Sequence, residues 1–134
     1  MSTATYHGSC HCGAVRFEVD LDLATDEVID CDCSICTKKG IVHVIVPPAR
    51  FRSLTPGAPL TCYRFGTRVA EHKFCAVCGM HPYYTPRSHP DHVDVNVRCL
   101  DDLDWRTLTI KRFGGRDWEA NIEELRGARG DPSR

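Results

Sequence analysis

The chain has 134 residues, 42% of them hydrophobic, and a formal net charge of -1 at pH 7. It is long enough for one well-buried core and too short for two, and it carries no cationic field for a phosphate backbone, which argues against nucleic acid as a partner. No apolar run approaches the roughly 20 residues of a membrane helix, and the opening MSTATYHGSC has neither a basic n-region nor an apolar h-region, so no membrane partner and a reducing, cytoplasmic location are expected.

Alternation with period two, the mark of a strand with one buried face, recurs along most of the sequence. Val15, Phe17 and Val19 alternate with Arg16, Glu18 and Asp20, and Val42 to Val46 is a β-branched run closed by Pro47 and Pro48. Thr55 to Pro59 (TPGAP) reads as an exposed turn. Thr61, Tyr63 and Phe65 then alternate with Cys62 and Arg64, and a turn at Gly66 leads into a strand through His72 and Phe74. VDVNVRC puts Val93, Val95, Val97 and Cys99 on one side. Helix is scarce: Asp117 to Arg126 is the best case, with Trp118, Ile122 and Leu125 at helical spacing, early acidic residues, and Gly127 to end it. The expected fold is mainly β and largely antiparallel with a short C-terminal helix, one domain over residues 1–126 and a disordered tail over 127–134.

Seven of the nine cysteines fall into three clusters: Cys10 and Cys12 in GSCHCG, Cys31, Cys33 and Cys36 in CDCSIC, and Cys75 and Cys78 in FCAVCG. In a reducing compartment an odd number of clustered thiols points to metal rather than disulfides, and zinc is the default for thiolates at such spacing. Gly8 and Gly13 flank the first pair and allow a sharp turn, while Gly79 after the third cluster accommodates a positive φ. Pairing these two knuckles closes a four-cysteine structural site. A redox role for Cys75 and Cys78 would sit beside a βαβ pattern, which is absent.

The middle cluster supplies only three thiolates. Three protein ligands plus an exchangeable position is the usual arrangement of catalytic zinc, with Cys62, Cys99 and His43 the possible fourth ligands. Cys62 and Cys99 otherwise read as buried thiols that pack as small apolar side chains. Spacing alone leaves a catalytic and a second structural zinc both open. Lys38 and Lys39 follow the cluster and suit the carboxylates of an anionic thiol, and His43 or His72 could move a proton near neutral pH.

The order GSCHCGAVRF, CDCSICTKKG, FCAVCGMHPYYTPRS closely resembles the family of the glutathione-dependent formaldehyde-activating enzyme and centromere protein V, from Gly8 to Trp118. YYTPRSHPD followed by VNVRCLD looks nearer the centromere protein V branch. The resemblance implies a zinc-bearing β-tent related to the Mss4-like fold. By the same likeness Cys10, Cys12, Cys75 and Cys78 hold a structural zinc, and Cys31, Cys33 and Cys36 hold a second zinc near a glutathione site. The expected function is therefore a two-zinc carbon-sulfur lyase acting on an adduct of glutathione or another small thiol, with Cys31, Cys33, Cys36 and His43 as its catalytic set. The rivals are a non-catalytic zinc module, which calls for a fourth protein ligand such as Cys99 at the second metal, and a thiol-based sensor.

Overall fold

The computed structural model describes residues 3–122. Its strands run in chain order β1 (Ala4–Ser9), β2 (Arg16–Leu21), β3 (Val28–Cys31), β4 (His43–Val46), β5 (Phe51–Ser53), β6 (Leu60–Tyr63), β7 (His72–Cys75), β8 (Tyr83–Tyr84), β9 (Val93–Asn96) and β10 (Ile110–Phe113), and helix α1 (Ser34–Lys39) lies between β3 and β4. They form a three-stranded sheet β1-β2-β5, a five-stranded sheet β10-β3-β4-β9-β8, and a two-stranded hairpin β6-β7. Pairing is antiparallel except between β10 and β3. The fold is mainly β, and among the described residues no helix is long and apolar enough to cross a membrane.

Strand parity organises the molecule, because successive side chains point to opposite faces. In the five-stranded sheet Val28, Val44, Val46, Tyr83 and Val95 face the main core, where they meet Val15, Phe17, Val19 and Leu21 from β2 and its approach. Phe17 anchors this core, stacked on Phe51 at 5.4 Å and edge-on to Tyr83 at 5.5 Å. Its cross-strand partner is Gly8, where a Cβ would overlap the Phe17 ring. Gly8 thus makes room for an aromatic side chain, while the adjacent turn relies on Gly13, at φ +83°.

The residues of opposite parity, Ile29, Cys31, His43, Ile45, Tyr84, Asp94 and Phe113, line a cavity on the sheet's other face. Both faces are therefore covered, so all four residues of β4 are buried and its sequence reads as a continuous run rather than an alternation.

Three expectations need correction. The strand at VDVNVRC stops at Asn96, whose side chain accepts from Arg98 N at 3.1 Å and starts a 3-10 turn over Val97–Cys99, which takes Cys99 off the valine face. Phe65 lies beyond the end of β6 and stacks on Tyr63 at 5.6 Å. Cys62 is exposed rather than buried. The C-terminal helix begins after a 3-10 turn at Gly115–Asp117 and covers residues 118–122. Its expected continuation to Arg126 and the tail at 127–134 lie outside the described residues.

Candidate metal centres and the cavity beside them

The turn between β1 and β2 and the turn after β7 carry the first group of sulfurs. Cys10 N donates to Val15 O at 3.0 Å and Gly13 N to Cys10 O at 3.2 Å, closing the first knuckle. Gly79 N donates to Cys75 O at 2.8 Å and takes φ +76°, closing the second. The sulfurs of Cys10, Cys12, Cys75 and Cys78 all lie within 4.8 Å of one another. A tetrahedron with metal-sulfur bonds of about 2.3 Å spaces its sulfurs about 3.8 Å apart. Cys10 Sγ stands 3.6 Å from Cys12 Sγ, and Cys12 Sγ 3.7 Å from Cys75 Sγ. Backbone N–H groups of Val15 and Val77 donate to the sulfurs of Cys10 and Cys75 at 3.3 and 3.4 Å, and those of Cys12 and Met80 bring the Cys78 thiol down to about 6. Spacing and donors both fit thiolates around a tetrahedral ion such as zinc.

The second group gathers Cys31 at the end of β3, Cys33 as the N-cap of α1, and Cys36 within that helix, again with all sulfurs inside 4.8 Å. Cys33 Sγ accepts from Cys36 N at 3.4 Å, and Gly40 ends the helix at φ +70° with its N–H on Cys36 O. Hydrogen bonds from the Cys31 and Cys36 thiols, then from the backbone N–H groups of Cys36 and Ile35, hold the Cys33 thiol far below its usual range. Six residues thus present three sulfurs as a compact claw. Neither His43, Cys62 nor Cys99 joins that group. Cys99 Sγ instead points to His81 O at 3.8 Å and Asn96 Nδ2 at 3.6 Å, within electrostatic reach of Cys10 and Cys78.

This claw opens on a cavity of about 430 Å³. His43, only 2% exposed, lies on its wall. His43 Nδ1 contacts both carboxylate oxygens of Asp94 at 2.9 and 3.0 Å, because the β4-β9 register sets Asp94 diagonally across from it on the same face. A carboxylate can only accept, so Nδ1 carries the proton and Nε2 keeps its lone pair; Nε2 is buried with no hydrogen-bond partner among the described residues. Burial works to lower the His43 pKa, and the charge and hydrogen bond of Asp94 outweigh it, leaving the value raised. His72, between the rings of Tyr84 at 5.0 Å and Phe65 at 5.4 Å, goes the other way: burial, then the charge of Lys39, lowers it to about 4. Of the two histidines, His43 has its charged form favoured by Asp94, while His72 stays uncharged near neutrality.

A model of the glutathione-dependent formaldehyde-activating enzyme family matches residues 5–113, which include both groups of cysteines, His43 and Asp94. The chain belongs to that family. It is also similar to the crystal structure of a Rhodobacter sphaeroides protein solved as a structural-genomics target, with 37% identity over 79% of this chain and 97% of that one and a TM-score of 0.69. The family match does not bear on nearness to the centromere protein V branch.

Lys38 and Lys39 close α1 and do not line the cavity, although Lys39 lies within electrostatic reach of Cys33 and Cys36. The cations on its rim are Arg87 and Arg116. Arg87 lies 3.6 Å over the Trp118 ring and bonds Glu119 at 2.7 Å, while Arg116 Nε donates to Asp32 O at 2.9 Å. Asp94, Arg116 and Gly115 were not singled out by the sequence. A Gly114-Gly115 pair just before a helix is the one signal that could have pointed to the last.

Gly115 packs directly on the claw: a Cβ there would overlap Cys31 Sγ and stand 3.0 Å from Cys33 Cβ and 3.2 Å from Cys33 N. Neither side can yield, since Arg116 N is tied to Asp32 Oδ1 at 2.9 Å and Asp32 N to Phe113 O at 3.2 Å. Gly115→Ala is expected to lower metal occupancy at the middle cluster and to cost about 1–3 kcal/mol of stability as overpacking. Gly114→Ala would meet only the Asn121 side chain, at 2.7 Å from Nδ2, and displacing it breaks the bond from Nδ2 to Gly114 O while leaving the claw untouched, so metal content should be kept. Metal analysis with thermal melts compares the two; a Gly115→Ala protein with full metal content would refute this packing role.

Proposed function

We propose that the chain is a zinc-dependent carbon-sulfur lyase that makes and breaks the adduct between an aldehyde and a small thiol such as glutathione, in a reducing, cytoplasmic setting suited to its nine free cysteines. One observation carries the reading: the three-sulfur claw and the unpartnered His43 nitrogen share a single cavity. The family to which the chain belongs supports it, as does the absence of a fourth sulfur or imidazole from the claw among the described residues, which the scaffold reading calls for.

A zinc ion held by Cys31, Cys33 and Cys36 would supply positive charge that stabilises the substrate sulfur as a thiolate. The chain's own groups do the rest. In cleavage His43 Nε2 takes the hydroxyl proton of the S-(1-hydroxyalkyl) adduct, the carbonyl double bond forms, the carbon-sulfur bond breaks, and its electron pair leaves with the sulfur. His43 then returns its proton to the departing thiolate or to water. No oxidant or reductant is consumed, and the reverse adds thiol across the carbonyl. Arg116 and Arg87 on the rim, with Lys38 and Lys39 at the end of α1, provide positive charge for the carboxylates of the thiol. Cys10, Cys12, Cys75 and Cys78 hold the structural zinc.

Metal analysis is expected to return two zinc ions per chain. Adding glutathione at about its millimolar cellular level should give binding heat and change the visible absorption of a cobalt-loaded protein, as expected when a soft thiol enters an open thiolate site. Absence of both the heat and the spectral change would overturn the proposal.

A further inference from the structure

The walls of this cavity are more apolar than a formaldehyde adduct needs. We infer that its substrates are thiol adducts of larger, apolar aldehydes, whose hydrocarbon substituent packs on the apolar part of its lining, Phe65 included. This rests on the thiol-adduct reading above and narrows it to a substrate class.

Parity and topology supply the argument. The reacting groups, the claw and His43, occupy one region, and the cations Arg87 and Arg116 stand on the rim. The remaining wall carries Ile29, Ile45, Phe65, Phe113 and Trp118 as large apolar side chains, beside the polar Ser34, Thr67 and Ser88. A thiol of the glutathione type is polar along its length, and its carboxylates are drawn to the rim cations, so it offers nothing to this wall. A hydroxymethyl group adds one carbon to the sulfur and would leave the same wall against water. Apolar side chains facing a preformed cavity are matched by an apolar ligand group.

Phe65 and Trp118 reach the cavity from opposite edges of the sheet. Trp118 follows the edge strand β10, with Arg87 over one face of its ring at 3.6 Å. Phe65 lies in the connection between β6 and β7, where Glu71 bridges to Thr85 just beyond the other edge strand, β8. Its ring is stacked on His72 at 5.4 Å and still 43% exposed, a large apolar surface kept at a cavity mouth. His72, uncharged near neutrality, adds a further flat and weakly polar face.

The test is a calorimetric series on the zinc-loaded chain with glutathione, S-methylglutathione, S-hexylglutathione and S-benzylglutathione. The sulfur is the same thioether in the last three, so differences among them report the substituent alone. Each buried methylene is worth about fourfold in affinity, and the hexyl and benzyl compounds are expected to bind about tenfold or more tighter than the methyl compound. Phe65→Ala should remove most of that gain, while Leu54→Ala, an exposed apolar site away from the cavity lining, should keep it. Equal affinity for the methyl, hexyl and benzyl compounds in the wild-type chain, with glutathione itself bound, overturns this inference and leaves the thiol site standing. Failure of glutathione itself to bind removes both.

Discussion

Cys78→Ser is expected to unfold the protein, whereas Cys33→Ser leaves a folded chain that has lost its second metal. The first set of sulfurs joins the turn after β1 to the end of β7, with Cys12 and Cys75 63 positions apart in sequence. A metal held there closes a long loop and ties the three-stranded sheet to the β6-β7 hairpin. Apparent zinc-binding energies of about 10–16 kcal/mol in small finger domains are as large as the whole stability of a typical domain, about 5–15 kcal/mol, so loss of one ligand can consume it. The second set lies within one short stretch, and β3, β4 and β10 are held together without it by their own ladders. Circular dichroism melts of both variants, with zinc measured alongside, check the contrast. A Cys33→Ser melt lowered as far as that of Cys78→Ser would show that the division of labour between the clusters is wrong.

The clusters were legible in the sequence because thiol ligation is local: residues one to three apart must share an ion if they bind one at all. The valine faces of β4 and β9 were legible for a related reason, since strand parity is fixed by covalent geometry. Parity also misleads. Asp94 between two valines has the pattern of a residue that faces water, yet it is only 2% exposed, because the second face of the sheet is covered by α1, the segment after β10 and the β6-β7 connection. Whether a polar face is wet or lines a cavity depends on what packs over it, and that is a long-range property. Helix α1 escaped notice because six residues are too short to display a helical period, and three cysteines dominate its neighbourhood. Lys38 and Lys39 illustrate the reverse case. They adjoin the claw in sequence, but the last turn of α1 leaves them out of the cavity lining, and Arg87 and Arg116 arrive there from distant segments.

His43→Gln is expected to lower turnover of a thiol adduct by about 10²–10⁴-fold, the usual worth of a positioned general base, with zinc content and glutathione affinity retained. Asp94 acts through His43, so its removal should be read in the pH profile. The Asp94 carboxylate raises the His43 pKa above its ordinary 6.5 against the opposing effect of burial. His43 works as a base only when neutral, so the rate falls in acid as the ring takes up its proton. Asp94→Asn removes the charge that raises this pKa and should move the acid limb of the rate to lower pH, while Asn can still accept from Nδ1–H and preserve the tautomer. Stability carries the matching sign. A histidine whose folded-state pKa is raised adds stability that is fully present below its unfolded value of 6.5 and is lost as pH rises through the folded value. The melting difference between wild type and Asp94→Asn should therefore be larger at about pH 5.5 than at about pH 9, on either side of the ordinary histidine range. A merely structural Asp94 would lower rate and stability without shifting the acid limb, and an unmoved limb would remove His43 from the proton-transfer step.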